Sequence, residues 1–271
     1  MSSYDHRLPA RGAARAANRP SLLEEGDEQT TLGNAALSAR SAVGQENAEG
    51  SEAPAALADG LHFFPSEHRL VYVVGGQTLL SVEARGGPES APTHSEEAMP
   101  PGPTNEGQFL VAGTEAYNTP SWSWSKLDWG VPLIDKGSDV WYQLPSGKYG
   151  SVQRDLGLGR QQILDYHRQL YGSAEVPKTW VFNDFGPKAV RYFRDKNGDG
   201  KRNADEPLEG EMIHTTPKNE AETARGQSVP LDDSHGCIHI RPVDRESLDQ
   251  VGAFAAGVAF RVHPYKAPRL S

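Results

Sequence analysis

The chain has 271 residues, with 36 Asp and Glu against 27 Lys and Arg and a net charge of −9. No basic run could neutralise phosphates, which argues against nucleic acid as a partner and against an electrostatic hold on anionic lipid; no apolar run approaches the length of a membrane span. The 28 glycines and 20 prolines suit a turn-rich β protein, and a single cysteine leaves no internal disulfide to depend on an oxidising compartment.

Residues 1–60 contain one aromatic, Tyr4, and few large aliphatics. Such a segment cannot bury enough apolar surface to offset its ordering entropy, so a flexible tail is expected there, with short helical turns near Leu22 and over 35–42. Arg7, Arg11, Arg15 and Arg19 are not followed by an apolar stretch, so no classical secretory leader is read. The folded domain is expected over 61–265, with a short tail over 266–271.

Within that domain, 69–74 and 77–82 read as β-strands joined by Gly75-Gly76, a tight-hairpin signal. Residues 85–103 are rich in Gly, Pro, Ser and Glu and read as a loop, after which Phe109-Leu110-Val111 enters a strand. Trp122 and Trp124 alternate as on a strand, either as a platform for a sugar or peptide or, by the general habit of aromatics, as core. Ile163, Tyr166, His167 and Leu170 recur at helical spacing with Gly172 as a stop. Short strands are expected at 180–182 and 189–193. Residues 217–229 read as a mobile polar loop. Asp244 is an N-cap candidate for a helix closed by Gly257, and 258–263 reads as a last strand. The count of strands supports a mainly β fold with some α, a curved sheet or sandwich with peripheral helices.

Two motifs carry chemistry. The first is Asp195, Asn197, Asp199, Lys201, Asn203 and Glu206, at positions 1, 3, 5, 7, 9 and 12 of a loop with Gly200 at position 6. This is the ligand spacing of an EF-hand-type Ca²⁺ loop, with Lys201 serving through its carbonyl; the alternative is a polar Asp/Asn/Gly turn. The expected ion is structural, fixing the strand that carries His214 eight positions further on. The second is Ser234-His235-Gly236-Cys237-Ile238, with His214 upstream in Ile213-His214-Thr215-Thr216. A lone cysteine is often just a small buried hydrophobe. A polar, glycine-flanked turn instead suits a thiol nucleophile, with a histidine as its base. Gly236 lets the backbone turn and aim N–H groups of His235, Gly236 and Cys237 at a developing oxyanion.

The Ser-His-Gly-Cys-Ile run, the upstream Ile-His-Thr-Thr, the Gly75-Gly76 hairpin and the 102–111 segment together resemble the L,D-transpeptidase (YkuD-type) catalytic domain family, over roughly 66–263. The resemblance implies the fold given above and a cysteine enzyme that acts on peptidoglycan tetrapeptide stems through an acyl-enzyme. The outcome would be cross-linking, D-amino-acid exchange or L,D-carboxypeptidase cleavage. It implies that Cys237 attacks, that His214 is the base, and that the Thr215 carbonyl orients it. Ser234 and His235 shape the turn or share protons. Arg241, Arg225 and His239 are the expected donor-substrate contacts. Two features depart from the family: the 19 residues between His214 and Ser234, and His239 where Arg or Asn is usual. The place of action is the periplasm or cell wall. The alternatives are a cysteine peptidase or amidase of another fold, or a catalytically inactive, calcium-stabilised wall-binding module. An antibacterial effector delivered by secretion machinery, with an immunity partner, is a third reading.

Overall fold

A computed structural model describes residues 57–92 and 101–267. The expectations for 1–56 and for the last four residues lie outside that range.

Strands β1 (Gly60–Phe64), β2 (Arg69–Val74) and β3 (Gln77–Arg85) form an antiparallel run. Gly75 and Gly76 turn β2 into β3 at φ 60° and 72°, the left-handed pair that a two-residue hairpin requires. After β4 (Gly107–Glu115), the chain leaves to build a small antiparallel sheet from β5 (Leu133–Asp135), β6 (Val140–Gln143) and β7 (Tyr149–Ser151). Helices α1 (Val152–Leu156) and α2 (Arg160–Tyr171) follow. Ser151 caps α1 by accepting from the Arg154 N–H, and Gly172 ends α2 in the left-handed conformation. The chain returns through β8 (Ala189–Phe193), β9 (Ile213–His214), α3 (Pro217–Ala224), β10 (Ile238–Ile240), α4 (Pro242–Gln250) and β11 (Ala259–Val262).

The curvature expected of the sheet goes to closure. Eight strands form a barrel in the order β1-β11-β4-β8-β9-β10-β3-β2. Closure leaves no unpaired edge in that sheet. Period-two alternation sends Leu61, Phe63, Ile213, Ile238, Phe260 and Val262 into its interior. A second core joins the small sheet to α1 and α2, through Val140, Val152, Ile163, Trp180 and Phe182.

Four local expectations are corrected. Residues 180–182 are not a strand: Trp180 exchanges two backbone hydrogen bonds with Gly130 and Val131, too short a pairing to extend. Residues 122–124 enter a single 3-10 turn (Ser123–Ser125) instead of a strand. Most of 217–229 is helix, because Thr216 caps it with an accepted Asn219 N–H, Pro217 sits at its first position and Glu220 in its first turn. Helix α4 starts one turn earlier than expected, with Arg241 at the N-cap and Pro242 at the first position, and Asp244 lies inside its first turn. It ends at Gln250, well before Gly257.

Candidate active site

The site is built on two short parallel strands. β9 and β10 pair in the register Ile213↔Ile238 and His214↔His239, and the Ile238 N–H donates to the Met212 carbonyl at 2.8 Å. Ile213 and Ile238 are fully buried inside the barrel, so alternation turns Met212, His214, Cys237 and His239 to its outer face. Residues 23 apart in sequence, His214 and Cys237, thus come to one side of one sheet.

The turn before Cys237 is held both by a distant strand end and by its own serine. Ser234 is buried; its N–H donates to the Gly86 carbonyl at 3.0 Å, and its hydroxyl donates to the Cys237 carbonyl. The same hydroxyl accepts the Gly236 N–H at 3.0 Å. Gly236 has φ 122°, outside the range of L side chains, and a Cβ there would lie 3.1 Å from Glu211 Oε1. The Gly236 N–H expected in an oxyanion hole is therefore spent on Ser234.

His214 is buried, and its Nδ1 lies 2.8 Å from the Thr215 carbonyl. A carbonyl only accepts, so Nδ1 carries the proton and Nε2 is left as the acceptor. Thr215 is fixed in turn: its hydroxyl donates to Glu220 on α3, which also takes Arg245 at 2.9 Å. The rings of Phe185 and His239 pack edge-on to His214 at 5.1 and 4.9 Å.

Burial sets the charge state of the pair. It lowers the His214 pKa to about 3, with His239 adding to the effect and the Thr215 carbonyl opposing it. Burial pushes the Cys237 thiol up to about 11; a backbone hydrogen bond from Met212 opposes this, the Glu211 charge adds to it, and Arg191 offsets part. At neutral pH the resting pair is a neutral thiol beside a neutral imidazole. His239 is also lowered by burial, and its Nδ1 donates to the Asp232 carbonyl at 3.1 Å.

Cys237, His214, His235 and His239 line one cavity of about 910 Å³. Its far wall comes from the excursion between β4 and β8, with Tyr117, Trp122, Tyr166, Asp184 and Phe185. Trp122 is exposed and stacks on Phe185 at 5.3 Å, whereas Trp124 packs among Tyr166, Trp180 and Phe182. Of the two readings of this tryptophan pair, core suits Trp124 and a cavity wall suits Trp122. The expected arginines are elsewhere. Arg241 is tied to Glu83, the Val229 carbonyl and Asp244, and Arg225 is exposed with its Nε on the Ala221 carbonyl of α3. The cation at the cavity is Lys218, paired with Asp232 at 2.8 Å. Sequence reasoning missed Lys218, Glu211 and Asp184, because only the tertiary fold brings the start of α3, the approach to β9 and the β4–β8 excursion to one cavity.

The 195–206 loop lies outside this lining, between β8 and β9. Asp195 accepts the Gly198 and Gly200 N–H groups at 2.7 and 2.9 Å, and Asp199 accepts that of Lys201 at 2.8 Å. Asn197 accepts the Asp199 N–H at 3.0 Å, and the Asn203 amide donates to Asp199. Glu206 is 1 % exposed and takes the Lys196 and Asn203 N–H groups. Among the described residues, no three His, Cys, Asp or Glu side chains converge to hold a metal.

A sequence profile of the L,D-transpeptidase catalytic domain, YkuD, matches residues 59–249. The chain belongs to the YkuD L,D-transpeptidase family. No curated protein matches it. Among solved structures it is similar to an L,D-transpeptidase (residues 123–326) from Xylanimonas cellulosilytica DSM 15894, at 10% identity and a TM-score of 0.34. That likeness covers 76% of this chain and 62% of the other, so the chain spans less than two thirds of that structure's length. No helix among the described residues is long and apolar enough to cross a membrane.

Proposed function

We propose that this YkuD domain is a cysteine acyltransferase acting on peptidoglycan tetrapeptide stems, with Cys237 as nucleophile and His214 as base. The observation that carries the reading is the β9–β10 register, which turns both side chains out of the barrel into one cavity with the imidazole tautomer already fixed. The neutral thiol transfers its proton to His214 Nε2 as Sγ bonds to the carbonyl carbon of the third stem residue. The N–H groups of His235 and Cys237 stabilise the oxyanion. The C–N bond to the terminal D-amino acid then breaks, and His214 returns the proton to the departing amine. The resulting thioester passes to an amine of a second stem, to a free D-amino acid or to water, which gives cross-linking, exchange or L,D-carboxypeptidase cleavage. Ser234 acts by shaping the turn. His239 holds the position beside His214, and Arg241 and Arg225 act in structure, not in donor binding.

We also propose that the 195–206 loop takes Ca²⁺ through Asp195, Asn197, Asp199, Asn203, Glu206 and the Lys201 carbonyl. The support is the ligand spacing, Gly200 at φ 74° and a buried Glu206 at the twelfth position. The ion's role there is to staple the β8–β9 connection.

The test is incubation with disaccharide-tetrapeptide muropeptides and mass spectrometry of the products, beside Cys237→Ala. Loss of the terminal D-amino acid or a cross-linked dimer, with turnover at least about a thousandfold lower in the variant, is the expected result. Equal turnover by the variant would remove Cys237 from the chemistry.

A further inference from the structure

The cavity holds one group that works against the proposed nucleophile. Glu211 lines it beside Cys237, with Oε1 placed 3.1 Å from where a Cβ on Gly236 would stand. The carboxylate is fixed, since the Asn105 N–H reaches Oε1 at 3.2 Å and Oε2 at 3.0 Å, and the Tyr192 hydroxyl lies 3.4 Å from Oε2. Among the described residues, no Lys or Arg is bonded to it. Arg194, the basic group near it, is turned to Glu209 and to the Glu106 carbonyl, and Glu209 adds a second negative charge. Tyr265, Tyr192 and Cys237 also feel its charge, and His235 lines the same cavity. A fixed anion here disfavours the thiolate and the oxyanion that acyl transfer must form. Across the cavity stands a second carboxylate, Asp184, among the Tyr117, Trp122, Tyr166 and Phe185 rings. Lys218 is the cavity's lysine, and Asp232 already holds it.

Carboxylates and aromatic faces around a space that no arginine of the described residues lines suit a cationic ligand. We propose that Glu211 is a specificity-determining residue: it takes an ammonium carried by the acyl donor beside the scissile carbonyl, and that contact cancels its negative field on Cys237. This rests on the acyl-transfer reading above and deepens it. The donor's own charge would then complete the site, so a cationic donor gains in the chemical step as well as in binding. The raised carboxyl pKa of Glu211, caused first by burial, agrees with a group that lacks its counter-charge.

The experiment compares two synthetic stem peptides that differ only in one amine, free or acetylated, on the residue whose carbonyl is attacked. Each is offered to the full chain and to Glu211→Gln, which keeps an oxygen for the Asn105 N–H. Acylation of Cys237 is followed by intact-protein mass spectrometry. The expected result is a kcat/KM ratio of about tenfold to a hundredfold in favour of the free amine for the natural chain, carried partly in kcat, and a ratio near one for the variant. In the absence of substrate, iodoacetamide should alkylate Cys237 several-fold faster in the variant at pH 8, an effect in the opposite direction to simple structural damage. Equal use of both donors by the natural chain overturns the inference and leaves the acyl-transfer reading intact. Full discrimination by the variant also overturns it. Acylation by neither donor overturns both.

Discussion

Two glycine-bearing polar turns flank β9, and they are held in different ways. The upstream one, 195–206, is held largely by its own amides, with Asp195, Asp199 and Glu206 accepting N–H groups from within the loop. It joins β8 to β9 through the Phe193–Leu208 bridge and the Glu209 N–H on the Tyr192 carbonyl. The downstream turn, 234–237, is anchored far away in sequence, to Gly86 and to Met212 across the β9–β10 pair. The first is a local motif that an ion could organise. The second is a long-range construction whose geometry is the product of barrel closure. Chemistry that needs two side chains in register belongs on the second kind.

The largest effect expected on that contrast is at the base. His214→Ala should lower acyl transfer about 10²- to 10⁴-fold. Alkylation of free Cys237 should hardly change, because the resting pair is already thiol and neutral imidazole. With the thiol pushed to about 11, alkylation should rise roughly tenfold per pH unit from pH 7 to 10, without a low-pH plateau, in both proteins. A plateau near pH 6 in the natural chain, lost in the variant, would show a resting ion pair and break the assignment.

Acid comes next. Burial holds His214 at about 3 and His263 at about 4, and lowers His62, which shares a 3.1 Å hydrogen bond with His263. These folded values lie below the unfolded value near 6.5. Above that pH both states are neutral and the contribution is complete. As pH falls, the unfolded chain takes protons that the fold refuses, so stability declines toward pH 4 and then 3. The slope is at most about 1.4 kcal/mol per pH unit for each histidine. Burial raises Glu211 and Asp184, which act with the opposite sign as pH falls, so the slope is best read at the neutral end, between pH 7.5 and 5.5. Urea unfolding that gave the same stability at both pH values would contradict the buried, neutral histidines.

Much of this was legible because its signals are local. Gly75-Gly76 marks its hairpin, the Ile163-to-Leu170 spacing marks α2, and Phe260 and Val262 mark β11. Ser234-His235-Gly236-Cys237 announces itself by residue type. What stayed hidden depends on partners distant in sequence. The parallel β1–β11 and β9–β10 pairs close the barrel, and neither strand of the second pair is longer than three residues. Helix α3 hides for another reason. It buries little beyond Pro217, Asn219 and Ala221, so its composition reads as a loop although Thr216, Pro217 and Glu220 are correct start signals. The Arg241 ion pair with Glu83 on β3 spans 158 positions, so no local pattern reveals it.

A smaller effect tests the upstream loop. If it takes Ca²⁺, stability should rise by about 2.7 kcal/mol when the free ion is a hundred times its dissociation constant. Asp195→Ala should remove that gain and leave the Ca²⁺-free melting temperature little changed. Scanning calorimetry in Ca²⁺ and in a chelator reads both. Identical melting in the two conditions would make the loop a turn held by its own amides, and the contrast between the two turns would then be one of sequence range alone.

The smallest effect belongs to the cap of α3. Thr216→Ala removes the acceptor of the Asn219 N–H and should cost about 1 kcal/mol. The neighbouring Thr215 keeps its carbonyl on His214 Nδ1, and Glu220 keeps Arg245, so the imidazole stays oriented. Turnover should therefore fall less than about threefold while the melting temperature drops by a few degrees. A variant with normal melting but turnover down a hundredfold would reverse that ordering. It would mean that the start of α3, and not only the β9–β10 register, sets where His214 meets the thiol, and that the long segment between His214 and Ser234 is part of how this chain builds its base.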